Sequence, residues 1–428
     1  MRIHRLLPLL ALAAAFVAMP ASASASERIE VGPGIYLAAA SELPPPQPGA
    51  APLAAPAAPT PSRVAGGSKT QIRRWPWQVS IRYRPINMHN CGGSLVAPKV
   101  VVTAAHCVTL GLNRNFQPAK DFDVVTGRTR LSSHRGRVHA LADYYWFVDG
   151  AGVPLWDPNT AAWDVVFMVL SSRADQRTIK IAGPGEEAVW APGRRAFVTG
   201  WGTTGETSEK SSDVLRQGAI KMISDSSCDD YYGPILHPDV MVCAGRRAGG
   251  VDACSGDSGG PLVVPIAGGD FRLVGDTSFA EGCARPGVPG VYGRLASDPI
   301  RGALANGIEA VAGDEVLGRN ATPSNGFAVV ARTHRPRRGT GGIVLRVPGP
   351  GQVHLHYSAK SRGALAYPGK AGRVEVPVRP RFRIARRLAS APPGETRRVR
   401  VRARVTYQPL GGEEHTRKVR IGLIQRNR

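Results

Sequence analysis

Short β-forming runs, each closed by glycine, proline or asparagine, dominate the chain from Trp77 onward and restrict it to folds built from strands. WQVSIRYR, FDVVTGR, RRAFVTGWG and FRLVGD cluster or alternate β-branched and aromatic residues between turn formers, the pattern of antiparallel strands in a barrel or sandwich. One helical pattern stands against them. In DPIRGALANGIEAVAG, near Asp298 to Gly313, the residues Ile300, Leu304, Ile308 and Val311 recur at helical spacing and would close a domain. The 50 Gly and 36 Pro beside 43% hydrophobic residues favour the same all-β, turn-rich reading over a helical one.

The ends of the 428-residue chain read differently from its middle. MRIHRLLPLLALAAAFVAMPASASA carries Arg2 and Arg5, an apolar run from Leu6 to Met19, and small residues at Ala21, Ala23 and Ala25. That is the layout of an export signal over residues 1–25, implying secretion. The run is interrupted by Pro8 and falls short of the ~20 residues that cross a bilayer, so no transmembrane anchor is expected there or later. Residues 26–63, with SELPPPQPGAAPLAAPAAPTPSR, have too little apolar surface to fold and are expected to be an extended or disordered pro-region, with order beginning at Val64.

At the other end, residues 314–339 read as a linker, with THRPRRGTGG (333–342) as a polar connector. Residues 340–428 read as a small β-sandwich with arginines on its solvent face, and YQPLGGEEHT is its last hairpin loop. Charge is segregated the same way. From Arg301 to Arg428 there are 26 Lys and Arg against 7 Asp and Glu, so +19 of the net +23 lies in the last 128 residues. Such a module suits an anionic cell-wall polymer or polysaccharide. Nucleic acid is disfavoured, because aromatics for base stacking are sparse there: Tyr357, Tyr367, Phe382 and Tyr407. The excess of Arg over Lys, 46 to 9, is also what a GC-rich genome produces.

Three stretches carry chemistry: AAHC at Ala104–Cys107, WDVVFMVL at Trp163–Leu170, and DACSGDSGGP at Asp252–Pro261. A serine hydroxyl becomes a nucleophile at neutral pH only when an imidazole takes its proton, and that imidazole needs a carboxylate to fix its tautomer. His106, Asp164 and Ser258 supply those groups in one known chain order. The glycines around Ser258 let backbone N–H groups converge on a developing oxyanion. No metal or cofactor motif is apparent among the ten histidines.

With VAGG at Val64–Gly67, WPWQVSI, CGGSLV, TAAHC, VTGWG, CAG and PGVYGRL in the same order, residues 64–313 resemble a trypsin-like serine protease of the chymotrypsin fold, of the secreted bacterial type. The resemblance implies two antiparallel β-barrels. It implies His106 as general base, Asp164 as its partner, Ser258 as nucleophile, and Gly256 with Ser258 as the oxyanion hole. It places Asp252 at the floor of the primary pocket, lined by Ser278, Ala280 and Gly290, for protein substrates cleaved after Arg or Lys. Ala280 and Phe279 depart from the usual Gly and Trp, which leaves the choice between Arg and Lys open. Activation by a cut at Arg63–Val64, with the new amine of Val64 pairing with Asp257, is implied as well.

Six cysteines allow fifteen pairings. The resemblance selects Cys91–Cys107, Cys228–Cys243 and Cys254–Cys283. The C-terminal module resembles, more loosely, Arg-rich β-domains appended to secreted proteins of high-GC bacteria. An inactive protease-fold adhesin is the competing reading, and it is disfavoured because His106, Asp164, Ser258 and Asp252 are all retained.

Overall fold

The computed structural model describes residues 28–43, 66–109, 114–203, 205 and 211–427. The export signal, Arg63 and Val64 lie outside them. Six strands close the first barrel: Arg137–Val148, Phe122–Thr126, Gln78–Tyr83, Met88–Ala97, Val100–Thr103 and Val166–Leu170, the last pairing back to the first. The second barrel runs Arg195–Gly200, Pro261–Pro265, Phe271–Phe279, Gly290–Gly293, Met241–Gly245 and Arg216–Met222, again closing on its first strand. Runs such as Val100–Thr103 (VVVT) are buried along their whole length, as barrel strands covered on both faces must be. The expected helix forms as Ile300–Ala312 and ends on Gly313 in the left-handed conformation that glycine tolerates.

Aromatic rings join the barrels. Trp75, just before the first strand of one barrel, packs 5.4 Å from Phe197 and 5.0 Å from Phe271 of the other. The Ser258 segment meets the first barrel along this seam, because Gly92 N–H of the first barrel donates to Ser258 O of the second (2.8 Å).

Two expectations at the ends need correction. Order does not begin at Val64: within the supposed disordered pro-region, Glu30–Gly32 and Ile35–Ala39 form a hairpin paired to Arg137–Val148. The reason is local composition, since the apolar side chains of Val31, Ile35 and Leu37 precede the Pro/Ala tract and have a barrel to bury against. The stretch 314–339 is not a free linker either. Ile181 brackets residues 316–318 through Ile181 N–H to Val316 O and Gly318 N–H to Ile181 O, and Ala328–Arg335 is a strand. THRPRRGTGG is then the turn of a hairpin, with Ala328–Arg335 pairing antiparallel to Thr340–Val347.

The C-terminal module is two sheets around one core. Ala328–Arg335, Thr340–Val347 and Gly372–Val378 form one; Ala364–Ala366, Gly351–Leu355, Thr396–Pro409 and His415–Arg426 form the other. Strict alternation over 398–405 sends Val399, Val401, Ala403 and Val405 inward and Arg398, Arg400, Arg402 and Arg404 outward. Phe382–Ala389 adds a short helix. Backbone bonds tie the module to the second barrel, from Arg195 N–H to Pro348 O and from Ala371 N–H to Gly193 O, each 2.8 Å, and Arg194 donates to Leu410 O.

Candidate active site

His106 opens a one-turn helix after the strand Val100–Thr103, and Asp164 lies two residues before the strand Val166–Leu170 that pairs with it. Their pairing is therefore set by sheet register. Asp164 is 1% exposed; its Oδ1 accepts from His106 N–H (2.9 Å) and its Oδ2 lies 2.7 Å from His106 Nδ1. A carboxylate only accepts, so Nδ1 carries the proton and Nε2 keeps its lone pair. Burial pulls the His106 pKa down, but the charge and hydrogen bond of Asp164 more than offset this and hold it above the ordinary histidine value.

A register shift between Thr277 and Phe279 leaves Ser278 as a bulge, which turns its hydroxyl onto Asp164 Oδ2 (2.5 Å). The side chain expected along the pocket wall thus holds the carboxylate behind His106.

The turn carrying Ser258 is set by close backbone approach. Gly259, at φ +69°, donates to Thr277 O, and a β-carbon on it would stand 2.0 Å from Thr103 Oγ1 and 2.9 Å from Ala104 N. Only glycine lets the serine turn press against the residues that lead into His106. Among the described residues Ser258 Oγ makes no hydrogen bond. Gly256 also has positive φ, at +87°.

Its carbonyl is held by a residue that the sequence reading missed. His89, two residues before Cys91, places Nε2 2.9 Å from Gly256 O and Nδ1 2.8 Å from Ser80 Oγ. Burial lowers the His89 pKa to about 4, so the ring is neutral, Nε2–H donates to the carbonyl, and Nδ1 accepts from Ser80.

Asp257, 1% exposed, accepts from Gly202 N–H (2.8 Å) and Cys254 N–H (3.0 Å), and no cation pairs with it among the described residues. Burial pushes it up to about 7. Gly200 and Gly202 make its room, since a β-carbon on either would stand 2.1 and 2.5 Å from its carboxyl group.

A further buried carboxyl group sits six residues before Ser258. Asp252 is 3% exposed, accepts from Ala253 N–H (2.8 Å) and Tyr292 Oη (3.3 Å), and is pushed up to about 7, chiefly by burial. Above it Gly290 leaves space open, because a β-carbon there would lie 3.0 Å from Asp252 Oδ1. Phe279 packs edge-on to Tyr232 at 5.5 Å, and the adjoining Ala280 is half-buried.

Beneath this assembly lies a carboxyl group that no motif announced. Asp276 is 0% exposed, neither of its oxygens has a hydrogen-bond partner among the described residues, and burial followed by the charge of Asp164 raises its pKa well above the usual range. Its one sequence signal is an acid inside the apolar strand FRLVGDTSF.

The disulfides are Cys91–Cys107, Cys228–Cys243 and Cys254–Cys283, the pairing that the resemblance implies. Cys91 and Cys107 cluster with His106, but their oxidised sulfurs offer no thiolate to a metal. Among the described residues no helix is long and apolar enough to cross a membrane.

The Trypsin family model matches residues 64–298. The chain is 39% identical over 232 residues to Trypsin of Saccharopolyspora erythraea, covering 54% of this chain and 93% of that protein. It is 37% identical over 248 residues to Transmembrane protease serine 5 of Homo sapiens, covering 56% of this chain and 51% of that one. It is 34% identical over 240 residues to Transmembrane protease serine 9 of Rattus norvegicus, covering 55% of this chain and 21% of that one. A trypsin match across more than half of the chain, two closed six-stranded barrels and a His106–Asp164 pair with a buried carboxylate at their seam lead to one conclusion: the chain belongs to the trypsin family and is a trypsin-like serine endopeptidase.

Proposed function

We propose that the protein is a secreted endopeptidase that cleaves after Arg or Lys, made as a zymogen and activated at Arg63–Val64. Ser258 Oγ attacks the substrate carbonyl while His106 Nε2 takes its proton, and Asp164 stabilises the imidazolium that forms. Negative charge developing on the carbonyl oxygen is met by the N–H groups of Gly256 and Ser258, with the Gly256 carbonyl held by His89. His106 returns the proton to the leaving amine. Water then attacks the acyl group on Ser258, His106 again taking a proton, and the serine is freed with the carboxylic acid product. The amine of Val64 would supply the cation for Asp257.

The observation that carries the specificity is Asp252, a buried carboxyl below the space that Gly290 keeps open. An arginine or lysine side chain entering that space meets a desolvated acid, where charge-assisted hydrogen bonds are at their strongest. Initial rates on matched peptide amides ending in Arg, Lys or Phe test this reading, with Ser258→Ala as control. Fast turnover of the basic amides alone, lost in the control, supports it; equal turnover of all three, or none from a chain beginning at Val64, overturns it.

For the C-terminal module the proposed ligand is a linear polyanion of the cell wall or a polysaccharide. Arg402 faces Arg420 and Arg404 faces Lys418 directly across the strand pair, and none of these four, nor Arg398 or Arg400, is in an ion pair among the described residues. Like charges placed opposite destabilise a sheet on their own, and repeats about 7 Å apart along a strand suit a chain of anionic groups. Retention of the whole protein on dextran sulfate, falling with salt and weakened by Arg402→Glu with Arg404→Glu, is the expected result. Retention unchanged by those substitutions would remove the assignment.

A further inference from the structure

The hairpin formed by residues 28–43 lies upstream of the Arg63–Val64 bond and yet is built into the catalytic body. Ile35–Ala39 extends the first barrel, with Tyr36 opposite Val148, Leu37 opposite Phe147, Ala38 opposite Trp146 and Ala39 opposite Tyr145. Val31, Leu37, Ala39 and Ala40 are between 2% and 8% exposed, and Leu37 shares one core with Phe167, Leu304 and Ile308.

The body is shaped to receive it. Gly307 has no side chain where Leu37 docks: a β-carbon there would lie 3.3 Å from both Leu37 methyls and 3.3 Å from the Phe167 ring. Asn306 Nδ2 donates to Val31 O (2.8 Å). At the far end Asp143 accepts from the Ser41 hydroxyl (2.5 Å) and from Ser41 N–H (3.2 Å). None of the three disulfides reaches the segment.

We propose that cleavage leaves this hairpin in place, so that the active enzyme is a two-chain complex whose short N-terminal chain is held only by noncovalent contacts. The proposal rests on the cut at Arg63–Val64 proposed above. Departure of the hairpin would bare the Phe167 and Leu304 surface to water and leave the end of Arg137–Val148 as an open strand edge. It would also loosen the support of Asp164, because Phe167 lies on the strand that Asp164 leads into. The short chain therefore acts as a positioning element for the His106–Asp164 pair.

The test separates retention from the site of natural cleavage. A full chain carrying Ser258→Ala and a recognition sequence for a site-specific protease between Ala55 and Pro56 is cut and passed through size exclusion at micromolar concentration. Co-elution of the fragment with the body at one to one, with separation in denaturant without reductant, is expected. A fragment that elutes alone overturns the proposal. Asn306→Ala should reduce retention at least several-fold, and Leu37→Asp should abolish it; a fragment retained equally well in both variants also counts against docking at this face. N-terminal sequencing of the active chain reports separately on Val64, so a different natural cut is recognised as a failure of the activation reading and not of retention.

Discussion

Gly293 leaves the room that the carboxyl group of Asp276 occupies: a β-carbon on Gly293 would stand 2.4 Å from Asp276 Oδ1. The two are cross-strand partners in the second barrel, so the acid and the missing side chain form a matched pair under Asp164. A buried acid without hydrogen-bond partners stays protonated, and its pKa is raised above the unfolded value. The folded state then holds a proton that the unfolded state releases, and stability falls as pH rises above about 4 toward the folded pKa. Asp276→Asn should remove that slope. The variant is expected to gain at least about 1 kcal/mol at pH 7, or ~2–4 °C in Tm, with little difference near pH 4. Thermal unfolding across pH 4 to 8 measures it; parallel curves for the two proteins would contradict a protonated Asp276.

In the proposed mechanism two groups set the acid side of the rate profile. His106 must be neutral to accept a proton, and its raised pKa moves that limb upward. Asp252, at about 7, must be ionised to hold a cation. For an Arg amide, log kcat/KM should therefore climb with a slope approaching 2 below both values. In Asp252→Asn the slope should fall to 1, and kcat/KM should drop on the order of 100-fold if a charge-assisted contact of about 3 kcal/mol is lost.

The Ser278 hydroxyl on Asp164 gives a smaller effect. Ser278→Ala should lower kcat about 5-fold with KM nearly unchanged, as a hydrogen bond of about 1 kcal/mol to the carboxylate disappears. The freed carboxylate should attract the imidazolium more strongly, so the His106 limb should move to higher pH. A change confined to KM would place Ser278 in substrate binding instead.

His89 holds the Gly256 carbonyl through a neutral ring, so if Gly256 N–H serves the proposed oxyanion hole, removal of His89 should act on the transition state. His89→Ala should reduce kcat about 10-fold or more on both ester and amide substrates, while binding of a small cationic competitive inhibitor in the Asp252 pocket stays within about twofold. Equal loss of inhibitor affinity would show that the whole Ser255–Ser258 turn had collapsed.

The groups proposed to do the chemistry were legible because each sits in a local motif with its own backbone demands. Ser258 is wedged among glycines that the turn requires, His106 abuts a cysteine, and Asp252 lies at a fixed distance before the serine. His89 and Asp276 were opaque because their meaning lies in what they face across the sheet: a carbonyl 167 residues away for one, a vacant glycine for the other. The hairpin at residues 28–43 was masked by the Pro/Ala tract that follows it, since composition averaged over a segment hides four apolar residues with a place to go. The strand Ala328–Arg335 was hidden by its arginines, which read as a connector until its partner Thr340–Val347 was in view.

The backbone bonds from Arg195 to Pro348 and from Ala371 to Gly193 have a mechanical consequence. They splice the arginine-faced module onto the rim of the second barrel at two points, which removes the swivel that a tethered domain would have. A polymer gripped by that face would hold the cleft at one attitude and one stand-off, like a blade bolted to its handle. The bonds such an enzyme meets would then be chosen first by where they lie along the surface it grips, and only second by the side chain that enters above Asp252.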